Sequence, residues 1–445
     1  MKKRSIRCLS MLCGCLFFIN NGTAQNPLIL DQFTADPSAR EFGGRVYVYP
    51  SHDEHCGTDW FCMKDYHVFS SENLTDWTDH GVIVSQENVQ WVDSTTNSMW
   101  APDCIEKDGK YYFYFPAISK DKTDGRRGMR IGVAVSGTPY GPFIPEPEPI
   151  PDVRGIDPNP FIDKDGQAYL YWAGNKRLYG ARLRDNMLEL ASEPEEIRDL
   201  PDGFKEGPYL FERNGIYYLT YPHVPETTER LEYAVGDNPM GPFRTAGVIM
   251  DESPAGCWTN HHSIIEYRGQ WYLFYHHNDL SPDFDKNRSI RADSLFFNED
   301  GTIRKVIPTL RGVGLTDAGR EIQIDRYSAL GETGASIAFI DEEDRFKGWK
   351  TRLENEGAWI RYNSVDFGDA DLQSVVVKAV SGKGGTVTLQ LDDLDGLVIA
   401  QVEIPETTDW TESHTGLSRI PSGVHNLVIV LHDSGPVEID WIRFE

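Results

Sequence analysis

The chain has 445 residues, which is more than a single ordinary domain contains, so we expect two domains. Its formal net charge is −26, and this acidity argues against nucleic acid or an anionic membrane surface as a partner. Aromatic residues make up 12% of the chain, which also has 40 glycines and 26 prolines, a composition typical of turn-rich β-structure. A neutral ligand is compatible with this charge.

The first 24 residues have the features of a secretory signal peptide. A basic head precedes a mostly apolar run that ends near Ile19, and Gly22–Ala24 forms a small-residue exit. The apolar run is too short for a permanent transmembrane helix, so we predict a cleaved signal at residues 1–24 and a secreted or periplasmic protein. The alternative is a lipoprotein acylated at Cys15, because Leu12–Cys15 loosely resembles a lipobox.

Four cysteines follow this segment: Cys56, Cys62, Cys104 and Cys257. They form no Cys-X-X-Cys pair, so the sequence supports neither a zinc site nor a thiol redox motif. Cys56 and Cys62 are close enough in sequence to bridge one loop in an oxidising compartment. The sequence does not decide between a Cys56–Cys62 disulfide and two free thiols.

One local pattern recurs five times between residues 25 and 318. A turn glycine is followed by a strand of alternating aromatic and apolar residues, as in Ala168–Trp172. The glycines, spaced 65, 57, 49 and 54 residues apart, are Gly44, Gly109, Gly166, Gly215 and Gly269. Such turns between apolar runs predict β-hairpins, and a period of this size predicts blades around an axis. We therefore predict a five-bladed β-propeller over residues 25–318.

An ionisable residue precedes each hairpin, at the start of the strand that would lie innermost in its blade. The five residues are Asp36, Asp103, Asp157, Glu206 and His261. Because the innermost strands of a propeller line its central channel, we expect these side chains to converge at one end of the channel and form a site. The alternative is that the Asp-Pro and Glu-Gly-Pro sequences serve only as turns.

Residues 319–445 show a different pattern of short alternating strands. Six segments carry it: 359–362, 374–380, 386–391, 397–400, 426–431 and 437–444. Segments of this length and alternation predict a β-sandwich, which we expect to be a jelly roll. The whole chain is therefore predicted to be all-β, with a five-bladed propeller followed by a sandwich.

Five motifs, taken in order, resemble those of glycoside hydrolase family 43, the five-bladed β-propeller glycosidases. They are Ala-Asp-Pro-Ser at 35–38, Trp-Ala-Pro-Asp at 100–103, Gly-Ile-Asp-Pro-Asn-Pro-Phe-Ile-Asp at 155–163, Glu-Gly-Pro-Tyr-Leu-Phe at 206–211 and Asn-His-His-Ser at 260–263. The resemblance implies that Asp36 is the general base and Glu206 the general acid. It also implies that Asp157 orients the acid and tunes its pKa.

We expect four further residues around the substrate, and the resemblance implies the roles of two of them, Trp100 and His261. Trp100 would stack on the sugar, with core packing as the alternative, and Trp60 would form a wall of the pocket. His261 matches a histidine that lies near a calcium ion or its waters, with an ordinary core histidine as the alternative. Arg288 would contact the sugar or the carboxylates, with a surface salt bridge as the alternative. The chemistry itself requires no cofactor.

The second domain resembles a family 6 carbohydrate-binding module, in segments 322–327, 357–362, 421–427 and 439–444. This resemblance implies that Tyr362 and Trp410 form the aromatic pair that binds sugar. It also matches Gln323, Asp325 and Asp440 to the module's structural calcium site. The alternative is a domain that only packs against the propeller.

Together these observations predict an inverting glycoside hydrolase that acts on plant cell-wall polysaccharide. Inversion uses one protonated carboxyl at the glycosidic oxygen and one carboxylate that activates water on the opposite face of the sugar. The pairing of the two domains favours release of α-L-arabinofuranosyl residues from arabinoxylan. A β-D-xylosidase is the alternative among enzymes, and a non-catalytic glycan-binding propeller is the alternative of another class.

Overall fold

The structure, a computed structural model, describes residues 19–20, 26–121, 128–198, 200, 203–368, 372–419, 422–433 and 435–445. These residues form β-strands and two short 3₁₀ helices, Gln86–Asn88 and Arg345–Lys347, and contain no α-helix. The described part of the chain therefore offers no helix that could span a membrane. The predicted signal peptide lies outside the described residues except for 19–20, and Cys15 lies outside them altogether.

The first twenty strands form five antiparallel sheets, one for each blade. Blade one contains β2 (Phe33–Phe42), β3 (Arg45–Asp53), β4 (Asp65–Ser71) and β5 (Trp77–Ser85), with β1 (Ile19–Asn20) along β5. Blade two contains β6 (Asp103–Lys107), β7 (Lys110–Ile118), β8 (Met129–Ser136) and β9 (Ile144–Pro145). Blade three contains β10 (Ile156–Ile162), β11 (Ala168–Gly174), β12 (Arg177–Arg182) and β13 (Glu195–Ile197). Blade four contains β14 (Tyr209–Arg213), β15 (Ile216–His223), β16 (Arg230–Gly236) and β17 (Arg244–Met250). Blade five contains β18 (Ser263–Tyr267), β19 (Gln270–His277) and β20 (Ser289–Leu295).

The five turn glycines occupy the positions predicted from the repeat. Their φ angles are 82° (Gly44), 75° (Gly109), 86° (Gly166), 83° (Gly215) and 79° (Gly269). This left-handed region favours glycine, because a side chain there meets its own backbone. Each glycine therefore closes the hairpin that joins the innermost strand of its blade to the next strand.

The alternation of side chains along the hairpin strands packs each blade against both neighbours. Tyr112 and Tyr114 of β7 face blade three, where they join a cluster around Trp172. Phe113 and Phe115 of the same strand face blade one. Equivalent clusters lie at the other three blade junctions. Since successive residues of a strand point to opposite faces, one aromatic strand serves two interfaces.

The innermost strands contact one another in ring order β2, β6, β10, β14, β18 and back to β2. The segment before β2 closes this ring on the last strand of blade five. Leu28 N–H donates to Ile290 O at 2.8 Å, and Asn26 Nδ2 donates to Ala292 O at 3.0 Å. The result is a five-bladed propeller, as predicted.

The remaining strands form two facing sheets. One sheet contains β21 (Thr316–Asp317), β22 (Ala329–Leu330), β25 (Trp359–Asp366), β27 (Gly385–Leu391), β28 (Val398–Ile404) and β30 (Val424–Leu431). The other contains β23 (Ala335–Phe339), β24 (Trp349–Leu353), β26 (Ser374–Ser381), β29 (Thr407–Gly416) and β31 (Val437–Phe444). An apolar core between them defines the predicted β-sandwich. The predicted domain boundary after residue 318 stays a prediction, and β21 pairs with the sandwich already at Thr316.

Candidate active site

A cavity of about 250 Å³ opens where the innermost strands of the propeller begin. Residues of all five blades line it: Asp36, Trp60, Phe61, Met63, Trp100, Ala101, Ile156, Asp157, Glu206, Glu229, Trp258, Thr259, His261 and Arg288. The three predicted catalytic acids, Asp36, Asp157 and Glu206, are therefore brought together, as are Trp60, Trp100, His261 and Arg288.

A β-bulge turns Asp36 into this cavity. The pairing of β2 with β3 shifts register between Ala35 and Ser38, and Asp36 has a φ of 47°. Its carboxylate accepts hydrogen bonds from Ser51 Oγ at 2.6 Å and from Arg288 Nη1 at 2.8 Å. Burial raises the pKa of Asp36, but Arg288 and nearby histidines oppose burial and leave the pKa at about 2. Asp36 is thus ionised at neutral pH, as a general base requires.

Arg288 is 2% exposed and joins blade five to blade one, so the surface salt-bridge alternative is wrong. Its Nε and Nη2 donate to the two carboxyl oxygens of Asp53, each at 2.9 Å. Its Nη1 and Nη2 also contact Asp36, at 2.8 and 3.2 Å. One guanidinium therefore pairs with two buried carboxylates and fixes the position of Asp36. Contact between Arg288 and a sugar stays a prediction.

A second bulge places Asp157 in the cavity. The register of β10 shifts between Ile156 and Asn159, and Asp157 has a φ of 57°. Gly207 N–H donates to Asp157 Oδ2 at 2.8 Å, so Asp157 holds the peptide that follows Glu206. Burial raises the pKa of Asp157 well above its usual range, and the charges of Glu206 and Asp36 raise it further. The raised pKa means that Asp157 holds its proton to a higher pH than an exposed aspartate does.

Glu206 lies just before β14, and glycine is required next to it. Gly207 has a φ of 65°, and a Cβ there would lie 2.7 Å from the ring of Pro222. Burial raises the pKa of Glu206 and the charge of Asp36 raises it further, whereas Lys205 and Arg288 lower it. Burial is therefore the larger cause of this shift, and the carboxyl that adds to it is Asp36 rather than Asp157, the predicted tuner. A raised pKa favours the protonated form that a general acid needs.

The other two strand-head residues differ in what they contact. His261 lines the cavity, and burial lowers its pKa, so its ring is neutral. Asp103 is absent from the cavity wall and accepts hydrogen bonds from Arg40 Nε at 3.0 Å and from Asn159 Nδ2 at 2.8 Å. Asp103 therefore connects blades one, two and three, and has the structural role that its Asp-Pro context allows.

Aromatic side chains form the mouth of the cavity. Trp60 is 53% exposed, and Trp100 is half-buried with its ring in the wall. Cys56 and Cys62 form a disulfide that closes the loop carrying Trp60 and Phe61. The bridged alternative for these cysteines is therefore the one found, and it ties the loop down at the entrance. Whether Trp100 stacks on a sugar stays a prediction.

Two residues of the cavity were missed in the sequence analysis, Glu229 and Trp258. Lys205 Nζ lies 4.0 Å from the centre of the Trp258 ring, which places a cation beside Glu206. Glu229 is 1% exposed and lies just before β16, outside the repeated motifs. Both residues belong to loops at the same end of the propeller, and neither loop follows the repeat. No periodic pattern could have identified them.

The predicted calcium beside His261 fits the donors present there. Asn260 Oδ1 is buried and has no hydrogen-bond partner among the described residues. Calcium prefers oxygen ligands, and a neutral imidazole such as that of His261 can accept a hydrogen bond from a calcium-bound water. A bound calcium would offset part of the negative charge of the carboxyls. The ion itself stays a prediction.

The predicted sugar-binding pair of the sandwich does not form. Tyr362 is fully buried, its hydroxyl lies 2.6 Å from Thr316 Oγ1, and its ring belongs to the sandwich core. Trp410 lies on β29 in the opposite sheet and lines a separate groove. Tyr362 is therefore unable to stack on a sugar. Only Trp410 is placed on a surface where it could do so.

The predicted calcium site of the sandwich stays a prediction. Gln323 and Asp440 line one groove, and Lys378 Nζ lies 2.8 Å from Asp440. Asp325 is buried beside Arg326, whose Nε is 2.9 Å from its carboxylate, while Asp325 Oδ1 has no hydrogen-bond partner among the described residues. Each carboxylate therefore faces a cation, and Asp325 keeps one oxygen that a calcium ion could take.

Carboxyls with opposite pKa shifts in one cavity, lowered for Asp36 and raised for Glu206, are an arrangement typical of glycoside hydrolases. Residues 24–303 match the family model described as glycosyl hydrolases family 43, and residues 331–445 match the one described as carbohydrate binding module (family 6). Since the first match covers more than half of the chain, the protein belongs to glycosyl hydrolases family 43.

Several proteins of known activity or structure are similar to this chain. A xylosidase/arabinosidase 43A of Humicola insolens is 39% identical over an alignment of 331 residues. The alignment covers 62% of this chain and 98% of that protein. An arabinoxylan arabinofuranohydrolase of Paenibacillus polymyxa is 26% identical and covers 92% of this chain and 72% of its own length. The crystal structure of CoXyl43, a GH43 β-xylosidase/α-arabinofuranosidase from a compost microbial metagenome, has a TM-score of 0.59 and 38% identity, covering 64% of this chain and 98% of its own.

Proposed function

We propose that the protein is an inverting glycosidase that removes terminal pentosyl residues from xylan-type polysaccharide, with α-L-arabinofuranosyl groups of arabinoxylan as the favoured substrate. The observation that carries the proposal is the contrast between two carboxyls in one cavity. Arg288 keeps Asp36 ionised, while burial raises the pKa of Glu206. One acid and one base in a single cavity are the two groups that inverting hydrolysis requires.

In the proposed reaction Asp36 accepts a proton from a water molecule, and the oxygen of that water forms a bond to the anomeric carbon. The bond between this carbon and the glycosidic oxygen breaks, and its electron pair stays on the oxygen. Glu206 gives its proton to that oxygen, so the leaving group departs as a neutral alcohol. Asp157 holds Glu206 in place through the Gly207 peptide. Because water enters opposite the leaving group, the configuration inverts, and no cofactor takes part.

The pentose preference is supported by the size of the cavity and by the similar proteins. A volume of about 250 Å³ is below the roughly 300–1,000 Å³ of pockets that enclose drug-sized ligands, which favours one terminal sugar over a long chain. The similar proteins carry names that refer to xylosides, arabinosides or arabinoxylan. A neutral glycan also suits a site that already contains four acids, Glu229 included.

A β-D-xylosidase is the second candidate. It is favoured by the two similar proteins whose names combine both activities, since one pocket then accepts both pentoses. The first experiment is the hydrolysis of 4-nitrophenyl α-L-arabinofuranoside and 4-nitrophenyl β-D-xyloside side by side, with arabinoxylan digested in parallel. Faster turnover of the arabinofuranoside supports the favoured substrate, and faster turnover of the xyloside supports the second. Proton NMR of the first product should show the inverted anomer, and a retained anomer would contradict the mechanism.

The non-catalytic alternative is tested by the same assay, because turnover of any of the three substrates excludes it.

We also propose that the protein acts outside the cytoplasm. The Cys56–Cys62 disulfide supports this location, since such bonds persist in oxidising compartments. Detection of the protein in the periplasmic or culture fraction, with the N-terminal segment removed, would test the proposal.

A further inference from the structure

Glu229 is a fourth carboxyl of the cavity, and the proposed reaction does not use it. It ends the loop between β15 and β16 and is 1% exposed. It lines the same cavity as Asp36, Asp157 and Glu206. A fully buried acid in a substrate pocket is costly unless it is paired or interacts with a ligand.

The two carboxyl oxygens of Glu229 have different surroundings. Oε2 accepts a hydrogen bond from Asn260 N–H at 2.8 Å, and the backbone N–H of Glu229 donates to Trp258 O at 3.1 Å. The first bond holds the carboxyl and the second holds the backbone of Glu229, both against the start of blade five. Oε1 is buried and has no hydrogen-bond partner among the described residues. One oxygen is therefore held by the protein, and the other oxygen of this cavity-lining residue is unpaired.

The unpartnered oxygen of Glu229 needs a hydrogen-bond partner. A carboxyl oxygen accepts hydrogen bonds, and a hydroxyl group both donates and accepts them. Because Glu229 lines the same cavity as Asp36 and Glu206, a sugar in that cavity would bring its hydroxyl groups to this oxygen. A sugar hydroxyl is a matching partner.

We propose that Glu229 is a substrate-binding residue whose free Oε1 hydrogen-bonds a hydroxyl group of the terminal sugar and holds that sugar between Asp36 and Glu206. This inference rests on the proposed function and adds a residue that selects the substrate. Because Asn260 N–H holds the carboxyl and Trp258 O holds the backbone of Glu229, little conformational freedom is lost when the sugar binds. A sugar that lacks the contacted hydroxyl leaves the oxygen unpaired and should be a poor substrate.

The test uses the full-length protein and three variants: Glu229→Gln, Glu229→Leu and the control Glu226→Gln, which changes an exposed acid of the same loop. The substrates are 4-nitrophenyl β-D-xyloside and α-L-arabinofuranoside, together with their monodeoxy analogues. Circular dichroism establishes that each variant is folded. Glu229→Gln keeps an oxygen for Asn260 and an N–H for the sugar, so kcat/KM should stay within about tenfold of wild type. Glu229→Leu should lose roughly 10- to 100-fold in kcat/KM, and Glu226→Gln should lose nothing.

The monodeoxy substrates separate contact with the sugar from a structural effect. For one of them the wild type should lose at least about tenfold relative to the parent glycoside, and Glu229→Leu should lose nothing further. The same loss in both proteins would overturn the proposal, because Glu229 would then not touch that hydroxyl. A Glu229→Gln protein as inactive as Glu206→Gln would also overturn it, since an ionised catalytic role would be required.

Two further outcomes are distinguishable. If the wild type hydrolyses neither parent glycoside nor arabinoxylan, the proposed function fails and this inference fails with it. If the wild type is active and Glu229→Leu is equally active, only the role of Glu229 is refuted.

The assay is repeated after treatment with EDTA and after addition of calcium. A coupling between Glu229 and the sugar hydroxyl that depends on calcium would overturn direct contact in favour of a metal ligand.

Discussion

Arg288 keeps Asp36 ionised, and we expect its replacement by methionine to move the acid limb of the pH–rate profile upward. The guanidinium lies 2.8 Å from Asp36 Oδ1, and the pKa of Asp36 is about 2 against an ordinary value of 3.8. Burial acts in the opposite direction, while His276, His261 and Ser51 act in the same direction as Arg288, so without Arg288 the pKa should rise towards 3.8. A rise from about 2 to 3.8 is nearly two pKa units, which corresponds to roughly 2.5 kcal/mol.

The measurement is kcat/KM for the better of the two 4-nitrophenyl glycosides between pH 4 and pH 8. In the wild type Asp36 stays ionised over this whole range, so it contributes no acid limb. In Arg288→Met the value of kcat/KM should fall at the acid end. Arg288→Lys is the matched control, because it retains the positive charge, and its kcat/KM should not fall at the acid end of this range. A folded Arg288→Met protein with the wild-type profile would refute the electrostatic role of Arg288.

The same shift has a consequence for stability. Because the pKa of Asp36 is lower in the folded protein, its ionisation stabilises the fold above pH 3.8. This contribution is lost as the pH falls towards 2. An Asp36→Asn protein lacks it, so the difference in unfolding free energy between wild type and variant should shrink over that pH window. Urea unfolding of the two proteins at a series of pH values measures this difference.

Four other changes test separate parts of the structure. Glu206→Gln should lower sugar release from arabinoxylan by roughly 10²- to 10⁴-fold. Hydrolysis of a 4-nitrophenyl glycoside should fall much less, because 4-nitrophenolate departs without a proton. Equal losses for the two substrates would contradict the role of Glu206 as the acid. Cys62→Ser removes the disulfide that closes the loop carrying Trp60. The KM for arabinoxylan fragments should then rise several-fold at unchanged kcat. An unchanged KM would show that the disulfide does not position the loop. Trp410→Ala, made in the inactive Glu206→Gln protein, should weaken retention of that protein on insoluble arabinoxylan. Tyr362→Phe should leave retention unchanged. It should cost about 1 kcal/mol of unfolding free energy, because the hydrogen bond of the tyrosine hydroxyl is lost. Weaker retention of Tyr362→Phe would contradict its burial.

The propeller could be predicted because its signals are local and repeated. Each turn requires a glycine with positive φ, and each following strand alternates aromatic residues that serve two blade interfaces. The positions of Asp36, Asp157 and Glu206 follow from the same register, since each precedes a hairpin at the start of an innermost strand. The bulges that turn Asp36 and Asp157 into the cavity have no comparable sequence signal, and only the structure shows them.

The residues that were missed or misplaced depend on contacts that no spacing encodes. Asp53 meets Arg288 across a separation of 235 residues, and Glu229 reaches the cavity from a loop outside the repeat. Tyr362 could have been placed correctly from strand parity. It shares a face with Ile360, which is buried, while Trp359 and Arg361 point the other way. For Tyr362 the alternation of the strand predicts burial correctly, and the resemblance to the family motif predicts a sugar-binding role wrongly.

The closure of the ring by the segment before β2 has a consequence for biosynthesis. Asn26 contacts Ala292 across 266 residues, and Asp36 meets Arg288 across 252. The base and the guanidinium that ionises it therefore emerge from the ribosome far apart in time. Four blades can be present before the last one supplies Arg288, so the nascent chain has no competent base until the propeller is complete. Catalytic activity thus reports complete assembly of the ring, and a chain interrupted within blade five is expected to be inert towards glycans.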